Sequence, residues 1–186
     1  MADSRFFSRK GPFSVAQIAE LTGADVVNAP DRDRVFDDVS PLQNADSTIL
    51  SFFDNRKYID AFINSKAGAC FVRPEFADRA PKDMVLFTTN DPYRAYAKAA
   101  TAFYPFETGN GSISEFAVVD PSAKLGKGVQ VDAGAVIGAN CEIGDGTIIE
   151  ANAVIGKGVV IGAGCRIGAN ASISHSLIGN LCLIYP

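Results

Sequence analysis

The sequence has no tryptophan, one histidine (His175), two methionines, and four cysteines scattered at 70, 141, 165 and 182. The cysteines lie too far apart for a CxxC redox or zinc motif, and one histidine cannot build a multi-histidine metal centre. No stretch approaches the roughly 18 apolar residues that a membrane span needs. The opening MADSRFFSRKGPF lacks the continuous apolar core of a secretory leader. Charge of one sign is also missing as a block: 17 Lys and Arg are interspersed with 21 Asp and Glu, so no basic stripe is available for nucleic acid. These absences point to a cytoplasmic chain with reduced thiols, no metal, no nucleic-acid partner and no integral membrane segment.

What is present is unevenly distributed. Sixteen of the 18 aromatic residues precede residue 110, whereas 13 of the 17 glycines follow it, so two architectures share the chain. The expected division is an α/β domain over 1–107, a linker over 108–118 around ETGNGS, and a second domain over 119–186.

The second domain repeats every six residues. From Val119 the series runs through Leu125, Val131, Ile137, Ile143, Ile149, Ile155, Ile161 and Ile167 to Ile173. Between 128 and 170 the third residue after each aliphatic is always Gly or Asn, the types that accept a left-handed backbone cheaply. The fourth is small or slim, as at Ala135, Cys141, Thr147, Ala153 and Cys165. Six is too short a period for a helical hairpin. An inward aliphatic, a corner and a second small inward residue describe short strands stacked as a parallel β-helix, each coil rising roughly 4.8 Å. The pattern resembles the hexapeptide-repeat family, whose β-helices are left-handed. Cys141, Cys165 and Cys182 fall on the small inward position and are read as packing groups, as is Cys70 in GACFV.

In the first domain, SVAQIAELTG carries a helix with Ser14 and Gln17 spaced as a capping box and Gly23 as its stop. DPYRAYAKAATAFYP is a second helix, with Asp91 as cap and Pro92 in the first position. TILSFFD, GACFVR and MVLFTT read as strands, and YIDAFINS as a short helix linking two of them.

The segments DVSPLQNADSTILSFFDNRKY, KAGACFV, TTNDPYRAYAKA and VVDPSAKLGKGVQVDAGAVIG, in that order, resemble the UDP-3-O-acylglucosamine N-acyltransferase family from about residue 14 onward. The resemblance implies transfer of a 3-hydroxyacyl chain from acyl carrier protein to the 2-amino group of UDP-3-O-acylglucosamine in lipid A biosynthesis, by a homotrimer. Acyl carrier protein is then a co-substrate, and no cofactor is implied. The family pattern FxxNxxY maps onto Phe52, Asn55 and Tyr58 as a uracil site. The chemistry suits those types: aromatic faces stack on a flat base and an amide donates and accepts at its edge. Phe52 and Phe53 alternate across a strand, so one of them belongs to the core, and the spacing selects Phe53 for it. Arg56 and Lys57 are read as a solvated turn rather than a diphosphate site.

The family's catalytic histidine is implied to lie in a later segment similar to QIAHNV, which does not occur here. His175 sits in SISHSLIG, where the repeat loses a residue between Ile173 and Ile178, and is read as a structural irregularity. No catalytic residue is therefore assigned. The final LCLIYP is apolar and leaves a coil open, so the chain is expected to be the amino-terminal portion of a longer enzyme. The alternatives are another nucleotide-sugar N-acyl- or N-acetyltransferase using acyl-CoA, and a non-catalytic nucleotide-sugar-binding or scaffold protein.

Overall fold

The computed structural model describes residues 3–29 and 32–186, which fall into two units divided between Phe106 and Glu107. In the first unit, β1 (Phe13–Ser14) leads into α1 (Val15–Thr22). The expected capping box is formed: Ser14 Oγ accepts from Gln17 N at 3.2 Å and Gln17 Oε1 accepts from Ser14 N at 2.8 Å. Gly23 ends the helix at φ 73°, a conformation open to glycine at no steric cost.

There follow β2 (Asp25–Val27), β3 (Val35–Phe36), β4 (Asp38–Val39), β5 (Ile49–Phe53), α2 (Ile59–Ile63), β6 (Ala69–Val72), β7 (Val85–Thr88) and α3 (Pro92–Phe103). Strands β2–β7–β6–β5–β4 form one sheet in that order, parallel throughout except for β2. Both faces are covered, and this explains why ILSFF, ACFV and VLFT are almost uninterruptedly apolar. On one face Leu50, Phe71 and Phe87 pack with Val15 and Ile18 of α1 and Ala95, Ala99 and Phe103 of α3. On the other, Ile49, Phe53, Cys70 and Leu86 pack with Phe62 of α2 and Phe76. The very short β1, β3 and β4, and the three-residue edge strand β2, were not among the expected strands. Two or three residues carry no periodicity to read.

The crossovers explain where an opening forms. The connections β4 to β5, β5 to β6 and β6 to β7 bury Leu42, Phe62 and Phe76 respectively, all in the second core. The chain leaving β7 instead enters α3, which covers the first core. The segments leaving β4 and β5 thus lie over one face and α3, which follows β7, over the other, and the space between them opens at the carboxyl end of the sheet.

The second unit is a left-handed parallel β-helix. Its two-residue strands run from Val118–Val119 to Leu183–Ile184 and stack into three sheets of four. Partners lie 18 residues apart, as in Val118 with Val136 and Glu142 with Val160. The repeating aliphatics point inward, and Val131, Ile137, Ile149, Ile155, Ile161 and Ile167 are buried. Asn140, Asn152 and Asn170 share the left-handed corners with Gly128, Gly134, Gly146, Gly158 and Gly164, all at positive φ. Ile178 and Ile184 continue the stack beyond the shortened turn and pack against the same core.

One detail departs from the sequence reading, and another follows it. Residues 108–118 do not hang free as a linker: Gly109 N donates to Gly146 O at 2.9 Å, Gly111 N to Gly128 O at 3.2 Å, and Ile113 bridges Val131. The cause is that a solenoid's first rung offers unpaired backbone, which the incoming chain satisfies. The shortened turn at His175 is absorbed at a corner, where Val160 pairs with Leu177 and Arg166 with Leu183 at a spacing of 17 residues.

Candidate nucleotide-sugar cleft

A cleft of about 440 Å³ opens at the carboxyl end of β5. Pro41, Leu42 and Gln43 after β4 form one side, Phe52 to Asn55 and Tyr58 another, and Tyr93 of α3 stands at the rim. Phe52, Asn55 and Tyr58, residues far enough apart in character to serve stacking and hydrogen bonding together, therefore border one space.

Each side chain is held for a visible reason. Phe53 is 1% exposed, stacked on Phe62 at 4.7 Å and edge-on to Phe76 at 5.2 Å. Phe52 points to the opposite face of the sheet, half-buried, with Tyr96 at 4.5 Å. Asn55 caps the 3-10 turn Arg56–Tyr58: its Oδ1 accepts from Lys57 N at 2.9 Å. Oδ1 is thus held by the backbone, while the Nδ2 group has no protein partner among the described residues. Tyr58 is exposed and its hydroxyl is likewise unengaged.

The charges nearby are mostly committed elsewhere. Arg56 pairs with Glu75 at 3.2 Å and lies over the Phe76 ring at 5.4 Å, outside the cleft lining. Asp54 borders the cleft and accepts from Arg73 Nε at 2.9 Å. Near Tyr96, the ring that backs Phe52, lies a polar group that the sequence reading did not include. Asp38 is almost fully buried, accepting from Tyr104 Oη at 2.8 Å and Val39 N at 2.8 Å, with Arg9 at 3.5 Å. Burial, then the Asp38 carboxylate and Tyr104, push the Tyr96 hydroxyl up to about 12, so its phenol stays neutral. The sequence signal was available in hindsight as DD at 37–38, an acidic pair inside an otherwise apolar strand region, but nothing local pairs it with residues 66 positions away.

His175 is exposed and adopts φ 52°, filling a left-handed corner of the kind that Asn or Gly takes in most coils. No group of three or more potential metal ligands occurs among the described residues. Cys141 and Cys165 are buried inside the β-helix, Cys182 is partly so, and burial pushes the Cys70 thiol well up. Among the described residues no helix is long and apolar enough to cross a membrane. On one prism face the outward places are Val118, Val136, Val154 and Ser172, and the three valines stack in register and are exposed.

Comparison with known proteins bears on the whole arrangement. Residues 33–102 match the family model described as UDP-3-O-(3-hydroxymyristoyl) glucosamine N-acyltransferase, LpxD. Residues 122–157 and 140–175 match the bacterial transferase hexapeptide repeat. The UDP-3-O-acylglucosamine N-acyltransferase of Parvibaculum lavamentivorans is 49% identical over 107 residues, which is 58% of this chain and 30% of the relative. That of Bradyrhizobium sp. strain BTAi1 is 45% identical over 192 residues, covering 100% of this chain and 54% of the relative. The chain thus spans about half the length of the curated relative that it matches from end to end. Among solved structures, the acetyltransferase domain of PglB from Neisseria gonorrhoeae FA1090 in complex with acetyl coenzyme A overlaps 74% of this chain and 80% of its own. The identity is 18% and the TM-score is 0.34, too low to speak to chemistry. With the amino-terminal family domain, the hexapeptide coils and the end-to-end match in agreement, the chain belongs to the UDP-3-O-acylglucosamine N-acyltransferase family.

Proposed function

We propose that the first domain recognises the uridine end of a UDP-sugar, within a protein that transfers a 3-hydroxyacyl chain from acyl carrier protein to the 2-amino group of UDP-3-O-acylglucosamine for lipid A. In that reaction the amine nitrogen attacks the thioester carbonyl, the carbon–sulfur bond breaks, the nitrogen gives up a proton and the carrier leaves as a thiol. No residue of this chain is assigned to the proton transfer, and the setting of these substrates is the cytoplasm.

The observation that carries the reading is the convergence of Phe52, Asn55 and Tyr58 on one cleft at the carboxyl end of a parallel sheet. Asn55 adds a direction. With Oδ1 accepting from Lys57 N, its amide nitrogen offers a donor, which at position 4 of the base suits the uracil carbonyl and opposes the exocyclic amine of cytosine. Titration of the chain with UDP and CDP, followed by calorimetry or amide shifts, tests both points. UDP should bind more tightly than CDP, and Phe52→Ala or Tyr58→Ala should each lower UDP affinity by about 1–3 kcal/mol, with the melting curve unmoved for the exposed Tyr58 and lowered only slightly for the half-buried Phe52. Unchanged UDP affinity in both variants would sink the reading.

Self-association as a homotrimer belongs to the same proposal, supported by the exposed valine column on one prism face. Val136→Lys should shift the sedimentation of the chain toward monomer; an unaltered distribution would remove that face from the interface.

A further inference from the structure

Helix α3 buries Pro92, Ala95, Ala99 and Phe103, the spacing that lays one stripe on the sheet. Tyr93 is off that stripe and 63% exposed, so the packing of the helix does not call for an aromatic there. Its ring nevertheless meets Phe52 at 5.6 Å between centroids and 67° between planes, and it borders the cleft. Tyr96, three residues on, backs Phe52 at 4.5 Å and 35° without reaching the lining. Phe52 is therefore held from behind, while Tyr93 rises beside it as a wall, and the two rings make a corner. The Tyr93 hydroxyl has no protein partner among the described residues.

A corner of two steeply inclined rings suits a ligand made of two rings that are themselves not coplanar. A nucleoside has that form, because its flat base and its pentose turn away from each other about a single bond. The C–H edges of a sugar carry slight positive charge and pack favourably on the negative face of an aromatic ring, while a phenol can exchange hydrogen bonds with ribose hydroxyls. From this geometry we infer that Tyr93 takes the pentose of the nucleotide whose base lies on Phe52, and so is a specificity-determining residue for nucleosides over free bases. The inference rests on the uridine reading of the cleft.

The test compares uracil with uridine on the 186-residue chain, using amide chemical-shift titration of the wild type, Tyr93→Ala, Tyr93→Phe and Phe52→Ala. Uridine should bind the wild type about two- to tenfold more tightly than uracil. In Tyr93→Ala that ratio should fall to about one with uracil affinity unchanged, and Tyr93→Phe should keep most of it. Melting curves should coincide for wild type and both Tyr93 variants, since the side chain is exposed. An unchanged ratio in Tyr93→Ala, or an equal loss of uracil and uridine, would overturn the assignment of the pentose while Phe52→Ala still reports on the base. If uracil and uridine leave the wild type untouched, or bind it equally well to Phe52→Ala, the uridine reading itself falls and takes the inference with it.

Discussion

The two units solve the same burial problem with opposite means. The α/β unit packs a few large side chains from distant parts of the sequence, with Phe36, Phe53, Phe62, Phe71, Phe87 and Phe103 all fully buried. The β-helix packs many small ones from one repeated instruction, an aliphatic every six residues and a slim residue between. In the first, each side chain has its own set of partners, as Phe53 has Phe62 and Phe76; in the second, each inward residue stacks on the equivalent position one coil away, as Ile155 does on Ile137. The difference predicts how damage spreads: a singular core fails as a whole, whereas a stack fails by neighbours.

The sharpest way to break the comparison is to truncate one residue of each kind. Phe53→Ala should cost about 3–5 kcal/mol, and Ile155→Ala about 2–5 kcal/mol, by lost burial and an unfilled cavity. Their consequences should differ in extent. Amide hydrogen exchange should speed up across the whole first sheet for Phe53→Ala, but chiefly in the rungs bearing Ile137 and Ile173, the coils beside it, for Ile155→Ala. Uniform acceleration throughout the β-helix would mean that the stack is as cooperative as the sheet. Circular dichroism suits the accompanying melts, since the chain has no tryptophan to report by fluorescence.

A smaller effect sharpens the same contrast at the corners. Leu181 occupies a left-handed corner at φ 57° while being 80% exposed, so it bears the strain of an L side chain there with little burial in return. Leu181→Asn should therefore stabilise the last rungs by about 1 kcal/mol, measured as a higher melting temperature and slower exchange near Leu183. A neutral or destabilising result would show that its contact over Gly164 outweighs the backbone strain.

These differences also decide what could be read from the sequence. The β-helix was legible almost residue by residue, because inward places, corners and small positions recur at a fixed step and each recurrence checks the last. Helices α1 and α3 were legible from Ser14, Gly23, Asp91 and Pro92, local signals that act within one turn. Strand β4 was not, nor was the burial of Asp38, since two residues have no period and the partner Tyr104 comes from the far end of the domain. At the cleft, FxxNxxY named three residues, and alternation in a strand separated Phe52 from Phe53. The tyrosine at the rim was missed as a cleft residue, because it reaches Phe52 only once β7 and α3 bring position 93 beside position 52.

The shortened turn at His175 carries a rule about where this architecture tolerates editing. A strand of two residues has one inward and one outward place, so a deletion inside it would exchange core for solvent in every later coil. The deletion between Ile173 and Ile178 falls instead in a corner, and downstream Ile178 and Ile184 still face the core. Corners thus act as expansion joints: length is adjustable there without resetting the phase of the stack. The exposed residues Ser174 and His175 mark one such joint, a natural place to splice in a peptide tag or a binding loop while leaving the rungs on either side in step.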